Sequence, residues 1–424
     1  MQKKKAAGLP GRRGSLYPRN LGAQGSQKQS AMASTQDEDS RPGILTTCAA
    51  CAIRIPHTAP RCGRCHTRYC GSACQTAHWG QGHKELCKMI KRGGFAEQYH
   101  ADKMYKAAVA EAVAAAAEDA VGQTCYICKE GPGEEGLAAS GCACRGTAGF
   151  VHIKCRARQA QVLVEEGLEN NLPMDSRWAV WDHCPLCHQY IVGPMKHALG
   201  WACWRSYVRK PDGQLRARAT EMLGYGLQHN DRNEEAVAVL EATMALIRRV
   251  GEESFIRTEI IDCLANCYTR LGRDEFALRL RSKAYEDTKA SYGEAHPDTL
   301  RRAINLGDSL SGAEEKSWFR KQANIARTAL GDDDSLTIQL RASLALSLGK
   351  SPFERHCNQY ELRVLESYRT DLEESVAIFT DVILRAQRQF GGQHPRTIIY
   401  ADYLKETQTV LAGINSTLSN PASD

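Results

Sequence analysis

The spacing of apolar residues divides the chain into regions with different predicted structures. From residue 214 to residue 412, apolar positions recur at helical intervals, so this region is predicted to be helical throughout. Residues 93–122 form a shorter, alanine-rich stretch in which Tyr105, Val109 and Val113 lie four apart. That spacing places one apolar stripe on a helix, which we expect to separate, or pack between, the regions on either side of it.

Two regions without this periodicity, residues 46–88 and 123–192, hold fourteen of the eighteen cysteines. Each contains four pairs of potential metal ligands. The first region has Cys48 and Cys51, Cys62 and Cys65, Cys70 and Cys74, and His83 and Cys87; the second has Cys125 and Cys128, Cys142 and Cys144, His152 and Cys155, and Cys184 and Cys187. Closed zinc sites use four thiolate or imidazole ligands, so the sixteen side chains predict four zinc ions per chain. The predicted fold is mainly α-helical, with small zinc-stabilised domains.

Composition and charge limit the kinds of partner that the chain is expected to bind and the cellular compartment in which it is expected to lie. The formal net charge of +6 lies partly in residues 1–45, which have few large apolar groups and are expected to be a disordered tail. This mild excess gives no argument for a nucleic-acid partner. No apolar run of about 18 residues predicts a membrane span. Because the start also lacks an apolar secretory segment, the cysteines indicate a reducing compartment, cytoplasmic or nuclear. The basic tail is either a targeting signal or simply a solvated segment.

The first cysteine-rich region resembles a MYND finger. The resemblance extends to Tyr69-Cys70, Cys74-Gln75, His78-Trp79 and Gly82-His83-Lys84. It implies two ligand sets, Cys48, Cys51, Cys70 and Cys74 for one zinc ion, and Cys62, Cys65, His83 and Cys87 for the other.

MYND fingers bind short proline-containing peptides in a shallow groove, and the resemblance implies that Gln75 and Trp79 lie beside it. Alternatively, Trp79 only covers the zinc-binding core. His57, His66 and His78 are expected to be exposed polar residues.

The second cysteine-rich region resembles the RING-CH finger of MARCH-type ubiquitin ligases. The similarity rests on Cys142-x-Cys144, the seven residues before His152, the text Arg-Gly-Thr-Ala-Gly-Phe-Val between them, and His152-x-x-Cys155. A PHD finger usually has a wider third pair. The resemblance implies a cross-braced fold, in which one zinc ion is held by Cys125, Cys128, His152 and Cys155, and the other by Cys142, Cys144, Cys184 and Cys187.

The RING-CH resemblance also implies a surface for a ubiquitin-conjugating enzyme (E2). Ile127 and Pro185 match contact positions of the family, and either Trp178 or Trp181 matches its tryptophan. Alternatively, these residues fill the small core between the zinc ions. Active ligases often carry arginine or lysine directly after the last cysteine, where this chain has His188, a weaker donor.

The helical region contains repeats. The text from Leu264 to Leu278 resembles a tetratricopeptide repeat, with Gly272 as the left-handed residue that ends its first helix. A recurrent junction precedes Thr299, Thr337 and Thr397, at intervals of 38 and 60 residues. Two of these junctions read Gly-x-x-His-Pro-x-Thr, similar to kinesin-light-chain repeats. This resemblance implies an α-solenoid with a concave groove.

Several smaller segments complete the sequence-based predictions. A further junction is expected at residues 251–258, and an insertion near residues 350–358 explains the longer interval. Residues 193–213 are expected to be a short aromatic segment ending in a turn, and residues 413–424 a disordered tail. Cys263, Cys267 and Cys357 are predicted to be small core residues.

Together these features favour a RING-CH-type ubiquitin ligase that binds a charged E2 and positions it for transfer to a substrate lysine. The MYND finger and the repeats would recruit protein or peptide partners. The alternative from a different class is a non-catalytic zinc-finger scaffold. A MYND-containing lysine methyltransferase is a third possibility, but the Asn-His-Ser-Cys-type text that it requires does not occur.

Overall fold

The structure is a computed structural model that describes residues 43–56, 58–211, 213–250, 255–351, 362–392 and 394–419. Most of the predicted tail (1–42), His57, the turn residue Asp212, the junction residues 251–254, the insertion with Cys357, and residues 420–424 lie outside these ranges. The described chain is mainly helical and packs like a solenoid. Within these ranges, no helix combines the length and apolar character that crossing a membrane requires.

The first cysteine-rich region combines tight turns with short helices. Two antiparallel backbone bridges, Thr47 to Arg54 and Arg61 to Arg68, close the turns that carry its first cysteine pairs. The chain then forms α1 (Ser72–His78), a π-helical turn (Trp79–His83) and α2 (Lys84–Arg92). Cys74, His83 and Cys87 therefore project from helical turns, as predicted from their spacing, whereas Cys70 lies in the bend before α1.

The second cysteine-rich region is built around one small hairpin and one long helix. Strands β1 (Ala138–Ala139) and β2 (Phe150–Val151) pair antiparallel, with Ala138 opposite Val151. Helix α4 (Ile153–Glu169) follows directly, and α5 (Met174–Trp178) continues into a 3₁₀ turn (Ala179–Trp181) before the last cysteine pair.

The alanine-rich stretch forms α3 (Phe95–Ala114) and is shorter than predicted, because residues 115–122 adopt turns. Its buried face includes the predicted Tyr105 and Val109 but also Ala101, Ala108 and Ala112. These small residues let neighbouring elements approach closely. Helix α3 packs against α2 and β1, and it is thus a core element shared by both cysteine-rich regions.

The predicted aromatic segment is helix α6 (Gly193–Tyr207), which packs against α3, α4 and α7 (Gln214–Gln228). Trp201, Trp204 and Tyr207 are buried along it. Helices α6 and α7 cross at Gly200 and Gly226, where a Cβ on either residue would lie 2.9 Å from a carbonyl oxygen of the opposite helix. Two glycines therefore permit the close contact that joins the cysteine-rich half to the helical half.

The helical half stacks successive helices, and each helix packs against the next one. Some alternate helices are also in contact: α7 packs against α9, and α11 packs against α13. After α7 come α8 (Asn233–Val250), α9 (Phe255–Arg270), α10 (Asp274–Tyr292), α11 (Pro297–Gly307), α12 (Gly312–Leu330), α13 (Ser335–Gly349), α14 (Leu362–Phe390) and α15 (Pro395–Ser419). This is solenoid-like packing.

The predicted helix-ending and helix-starting residues are confirmed where the structure describes them. Gly272 adopts a left-handed conformation (φ 67°) directly after α9. Pro297 opens α11, and the Nδ1 atom of His296 accepts a hydrogen bond from the backbone N–H of Asp298. Asp334 caps α13 through the N–H of Leu336 in the same way. The junction residue before each of these helices is therefore an N-cap.

Two smaller predictions have different outcomes. Cys263 and Cys267 are buried on α9, as predicted for core residues. The predicted disordered tail is wrong for residues 413–419, which continue α15. Leu411, Ile414 and Leu418 repeat at helical spacing and are half-buried, which explains the longer helix.

Candidate metal centres and interaction surfaces

The sixteen predicted ligands meet in four clusters, each of which could hold a metal ion. Within each cluster the ligand atoms all lie within 4.8 Å of one another. The clusters are Cys48, Cys51, Cys70 and Cys74; Cys62, Cys65, His83 and Cys87; Cys125, Cys128, His152 and Cys155; and Cys142, Cys144, Cys184 and Cys187. Each set has the membership that the two resemblances imply.

The distances between ligand atoms fit tetrahedral zinc. With Zn–S bonds near 2.3 Å, two thiolates of one tetrahedron are separated by about 3.8 Å. The Sγ atoms of Cys62 and Cys87 are 3.8 Å apart, and those of Cys144 and Cys184 are 3.7 Å apart. The donor set, three or four sulfurs around one point, is also the one that zinc prefers.

The pKa values of the cysteine thiols indicate that a cluster needs a bound cation to be fully deprotonated. Burial raises the pKa of the Cys48 thiol, but the backbone N–H groups of Cys51, Ala50 and Cys70 outweigh burial and lower this pKa to about 6. In the same cluster, the side chain of Cys70 raises the pKa of Cys74 to about 12. Neighbouring thiolates repel one another, so the whole set is deprotonated together only around a cation. Zn²⁺ supplies that charge when bound.

The two histidine ligands are held in different ways. His152 points Nδ1 at Cys128 Sγ, 3.4 Å away, and Nε2 lies 2.9 Å from the carbonyl oxygen of Gly131. An Nε2–H donated to that carbonyl leaves the Nδ1 lone pair free for a metal. His83 points Nε2 at Cys65 Sγ, 3.3 Å away.

The ring of His83 lies between aromatic residues. His78 stacks on it at 4.9 Å between ring centroids, and its Nδ1 forms a hydrogen bond with the hydroxyl of Tyr69 at 3.0 Å. Trp79 meets the same ring edge to face at 5.9 Å. His78 is thus not the exposed polar residue predicted from sequence, because it supports a ligand. His66 differs as well, since its ring stacks on Phe95 at 4.3 Å.

The ligand clusters of the second region interleave along the chain. Its first and third ligand pairs form one cluster, and its second and fourth pairs form the other. The backbone N–H of Tyr126 donates to the carbonyl of Phe150, which ties the first pair to the strand before the third. Such interleaving makes each pair depend on the others for its position.

The buried Arg156 stabilises the interleaved arrangement of the ligand pairs through hydrogen bonds. It follows Cys155 on α4, and its Nη2 donates to the carbonyls of Val180 and His183, each at 2.6 Å. The guanidinium therefore holds the segment before the last cysteine pair against the helix that carries the third. Sequence reasoning missed this residue, since an arginine inside a helical stretch reads as a surface residue.

The first region is joined to the rest of the chain by polar contacts, some part-buried and one exposed. The carboxylate of Glu97 on α3 accepts hydrogen bonds from the backbone N–H groups of Ile44 (3.3 Å) and Leu45 (3.1 Å). Arg54 forms an ion pair with Glu241 of α8 at 2.6 Å, and Tyr268 of α9 donates to the same carboxylate. The finger is thus anchored to α3 and to the first helices of the solenoid.

The residues predicted at the peptide groove of the first region lie at or near its surface. Trp79 is 38% exposed and Gln75 is half-buried. Because Trp79 also packs on His83, it covers a ligand and presents an apolar surface at once. Leu86 and Met89 on α2 are further exposed apolar residues that sequence reasoning did not single out.

The residues predicted to contact an E2 fall into two groups. Ile127 and Pro185 are half-buried, so part of each side chain is at the surface, and His188 is exposed. Trp178 and Trp181, by contrast, are buried, with 5% and 1% of their surface exposed.

Both tryptophan rings pack on Tyr207 of α6, at 5.3 Å and 6.3 Å between centroids. Neither is therefore available as a surface contact, which corrects that part of the prediction. Leu186, inside the last pair, is 54% exposed and was not predicted, although its place beside Pro185 was a usable signal.

Comparison with known proteins identifies one of the two regions. The MYND finger family matches residues 48–87. The chain is also similar to two Arabidopsis thaliana proteins, ubiquitin carboxyl-terminal hydrolase 17 (49% identical over 39 residues) and ubiquitin carboxyl-terminal hydrolase 19 (41% over 54 residues). These alignments cover 9% and 12% of this chain, and 5% and 8% of the relatives' own lengths. Residues 48–87 are therefore a MYND zinc finger, a protein-interaction module.

Proposed function

We propose that the protein is a ubiquitin ligase of the RING-CH type, in which residues 123–192 bind a ubiquitin-charged E2. The observation that carries this proposal is the interleaved arrangement of the two clusters in that region, with ligand sets that match the RING-CH pattern. The MYND finger and the tetratricopeptide-like helices would bind the proteins to be modified or other partners. We place this activity in the cytoplasm or nucleus.

A ligase of this kind needs no chemistry of its own. Each cluster offers four ligands, so a zinc ion bound there has no open position at which to activate water. Fourteen cysteines are used in the clusters and are not free to form a thioester. The rate gain would come from orientation, because an E2 held in place restrains its ubiquitin for attack by a substrate lysine.

The E2 surface that we propose consists of Ile127, Pro185 and Leu186. These apolar side chains come from the first and last ligand pairs and are partly or largely exposed. Apolar side chains grouped at a protein surface mark candidate interaction sites. The buried tryptophans Trp178 and Trp181 would support this surface from below and would not touch the E2.

The position of the MYND finger suits a recruiting role. Its ion pair between Arg54 and Glu241 and its contacts to Glu97 fix it to the helices that begin the solenoid. A partner bound by the finger or by the solenoid groove would thus be held at a defined distance from the E2. The two Arabidopsis relatives are named as ubiquitin carboxyl-terminal hydrolases, so a similar segment occurs in proteins named for an action on ubiquitin.

A non-catalytic scaffold is the second candidate, and one observation favours it. His188 occupies the position where active ligases often carry arginine or lysine, and it is exposed. An imidazole has at most two N–H donors, compared with five on an arginine guanidinium, so it is a weaker bridge between E2 and ubiquitin. In this case both fingers would act only as binding modules.

An auto-ubiquitination assay across a panel of E2 enzymes separates the two candidates. The ligase proposal expects conjugation by the purified chain, reduced about tenfold or more in Ile127→Ala. Ile53→Ala is the matched control, since Ile53 is an exposed isoleucine of the MYND finger. Zinc content must stay unchanged in both variants. No conjugation with any E2, or equal activity of Ile127→Ala and wild type, would favour the scaffold.

A further inference from the structure

A polar cleft of about 600 Å³ lies where α2, α3, α4 and α6 meet, away from the four metal clusters. Helix α2, which continues beyond the MYND finger, forms one wall through its last residue, Arg92, and α3 forms another through Gln98 and Asp102. The segment just after α6 contributes Arg209. The cleft thus touches the finger, the helix shared by both cysteine-rich regions, and the helix that leads into the solenoid.

The charge of the cleft is positive. Its walls carry three guanidinium groups, from Arg92, Arg205 and Arg209, and one carboxylate, from Asp102, which gives a net charge of +2. Asp102 already pairs with Nε of Arg205 at 2.5 Å. Among the described residues, neither Arg92 nor Arg209 has a hydrogen bond or ion pair, so two cations face the cleft without an acidic partner.

Two of these arginines make close contacts beside the cleft, although both reach the surface. Besides its bond to Asp102, Arg205 lies over the ring of Tyr105, 4.7 Å from the centroid. The guanidinium of Arg209 lies against Gly94, where any Cβ would collide with it. Gly94 has a φ of 89°, a conformation that also favours glycine. Because Gly94 has no side chain, the guanidinium of Arg209 can occupy the space beside it.

Neutral hydrogen-bonding groups complete the walls. Gln98 and Gln161 line the cleft, and the amide of Gln161 donates to the hydroxyl of Ser206. Arginine forks together with such neutral donors are the groups that recognise phosphoryl oxygens. The volume lies in the range of small-molecule sites.

We propose that this cleft binds a small phosphorylated molecule, through a di- or triphosphate or a comparable multiply charged phosphoryl group. The terminal phosphoryl group of such a molecule, with a charge near −2, balances the +2 of the walls. The ligand would touch Arg92 at the end of α2 and Arg205 and Arg209 from the α6 side at once. Binding would therefore tie the finger to the helix that supports the second region and the solenoid.

The test is calorimetric titration of the full-length, zinc-loaded chain with inorganic phosphate and inorganic tripolyphosphate at physiological ionic strength. We expect saturable binding that is tighter for tripolyphosphate and a melting temperature that rises with its concentration. The double variant Arg92→Gln/Arg209→Gln should weaken binding about tenfold or more.

The neighbouring residues provide a matched control. Lys91 and Lys210 are exposed, adjacent in sequence to the two arginines, and do not line the cleft. Lys91→Gln/Lys210→Gln makes the same change in net charge, and it should alter the affinity less than about twofold, because exposed charges outside the cleft are screened by salt and make no direct contact with the ligand. Zinc content is measured after each titration, and binding is scored only on chain that keeps its full zinc content.

Three results would overturn the proposal. The first is the absence of saturable binding of either phosphate. The second is an equal loss of affinity in the two double variants, which would mean that only overall charge matters. The third is binding of a phosphoserine peptide alone, which would assign the cleft to a protein partner.

Discussion

In the MYND finger, Trp79 packs on His83 and keeps 38% of its surface exposed, whereas Trp178 and Trp181 of the second region are buried against Tyr207. Both regions have the same set of potential ligands, seven cysteines and one histidine. The difference lies in what surrounds them. The MYND finger adjoins the body through Glu97 and Arg54, while α6 lies directly against the tryptophans of the second region.

This comparison teaches that ligand spacing does not decide the role of a nearby aromatic residue. A tryptophan beside a zinc site becomes surface or core depending on whether another element covers it. The second region is therefore expected to contribute more to the stability of the whole chain, and the MYND finger to present more of its apolar surface to partners.

The largest expected effect is the loss of folding stability on Trp181→Ala, compared with the loss on Trp79→Ala. Trp181→Ala removes a fully buried ring between the second region and α6, which typically costs about 3–5 kcal/mol. Trp79→Ala removes a ring that is partly exposed, and its cost should stay below about 1 kcal/mol. Urea unfolding followed by circular dichroism measures both. Equal losses of stability would contradict the difference drawn between the two regions.

The second-largest expected effect concerns the hydrogen bonds of Arg156 inside the second region. Arg156→Met leaves the carbonyls of Val180 and His183 without their donor, so we expect a loss of about 2–3 kcal/mol. Arg158→Met is the control on the same helix, because Arg158 is exposed and pairs weakly with Glu165 at 3.4 Å. A similar, small change in both variants would show that Arg156 does not hold the last ligand pair.

The smallest effect is a pH dependence within α6. Trp201 and Arg232 direct N–H donors at Nε2 of His197, which is fully buried, and Nδ1 lies 3.3 Å from the carboxylate of Glu111. Burial lowers the pKa of His197, although Glu111 opposes the shift. The folded imidazole therefore stays neutral at a pH where the unfolded one is protonated.

Since the unfolded state then binds the extra proton, stability should fall as the pH drops below the unfolded pKa of about 6.5. The fall would be at most about 1.4 kcal/mol per pH unit. His197→Gln should flatten this slope between pH 7.5 and 6.0, measured by urea unfolding at constant zinc content. An unchanged slope in the variant would assign the pH dependence to other groups.

The sequence predicted the sixteen ligands because each pair is recognised by its local spacing, whereas the grouping of the pairs into four sets was implied by the two family resemblances. The interval from His83 to Cys87 and the single residue between Cys142 and Cys144 can be read directly from the amino-acid sequence. The proline and glycine positions at the helix junctions, such as Gly272 and Pro297, are local in the same sense, and they were predicted as well.

Features that depend on distant packing were not predictable in this way. Trp178 and Trp181 are buried by α6, whose packing position no local pattern reveals. Glu97 and Arg156 serve as buried anchors only because the backbone groups that they bind come from elsewhere in the chain. The extension of α15 to Ser419, in contrast, was visible in the spacing of Leu411, Ile414 and Leu418.

The pairing of ligands in the second region is tested most directly by counting zinc per chain by native mass spectrometry in two double variants. Wild type should carry four zinc ions, one for each cluster. Cys128→Ser/Cys155→Ser alters one cluster and should leave three, whereas Cys128→Ser/Cys144→Ser alters both clusters of that region and should leave two. The reverse outcome, two ions in the first variant and three in the second, would mean that successive pairs share an ion and would contradict the interleaved finger.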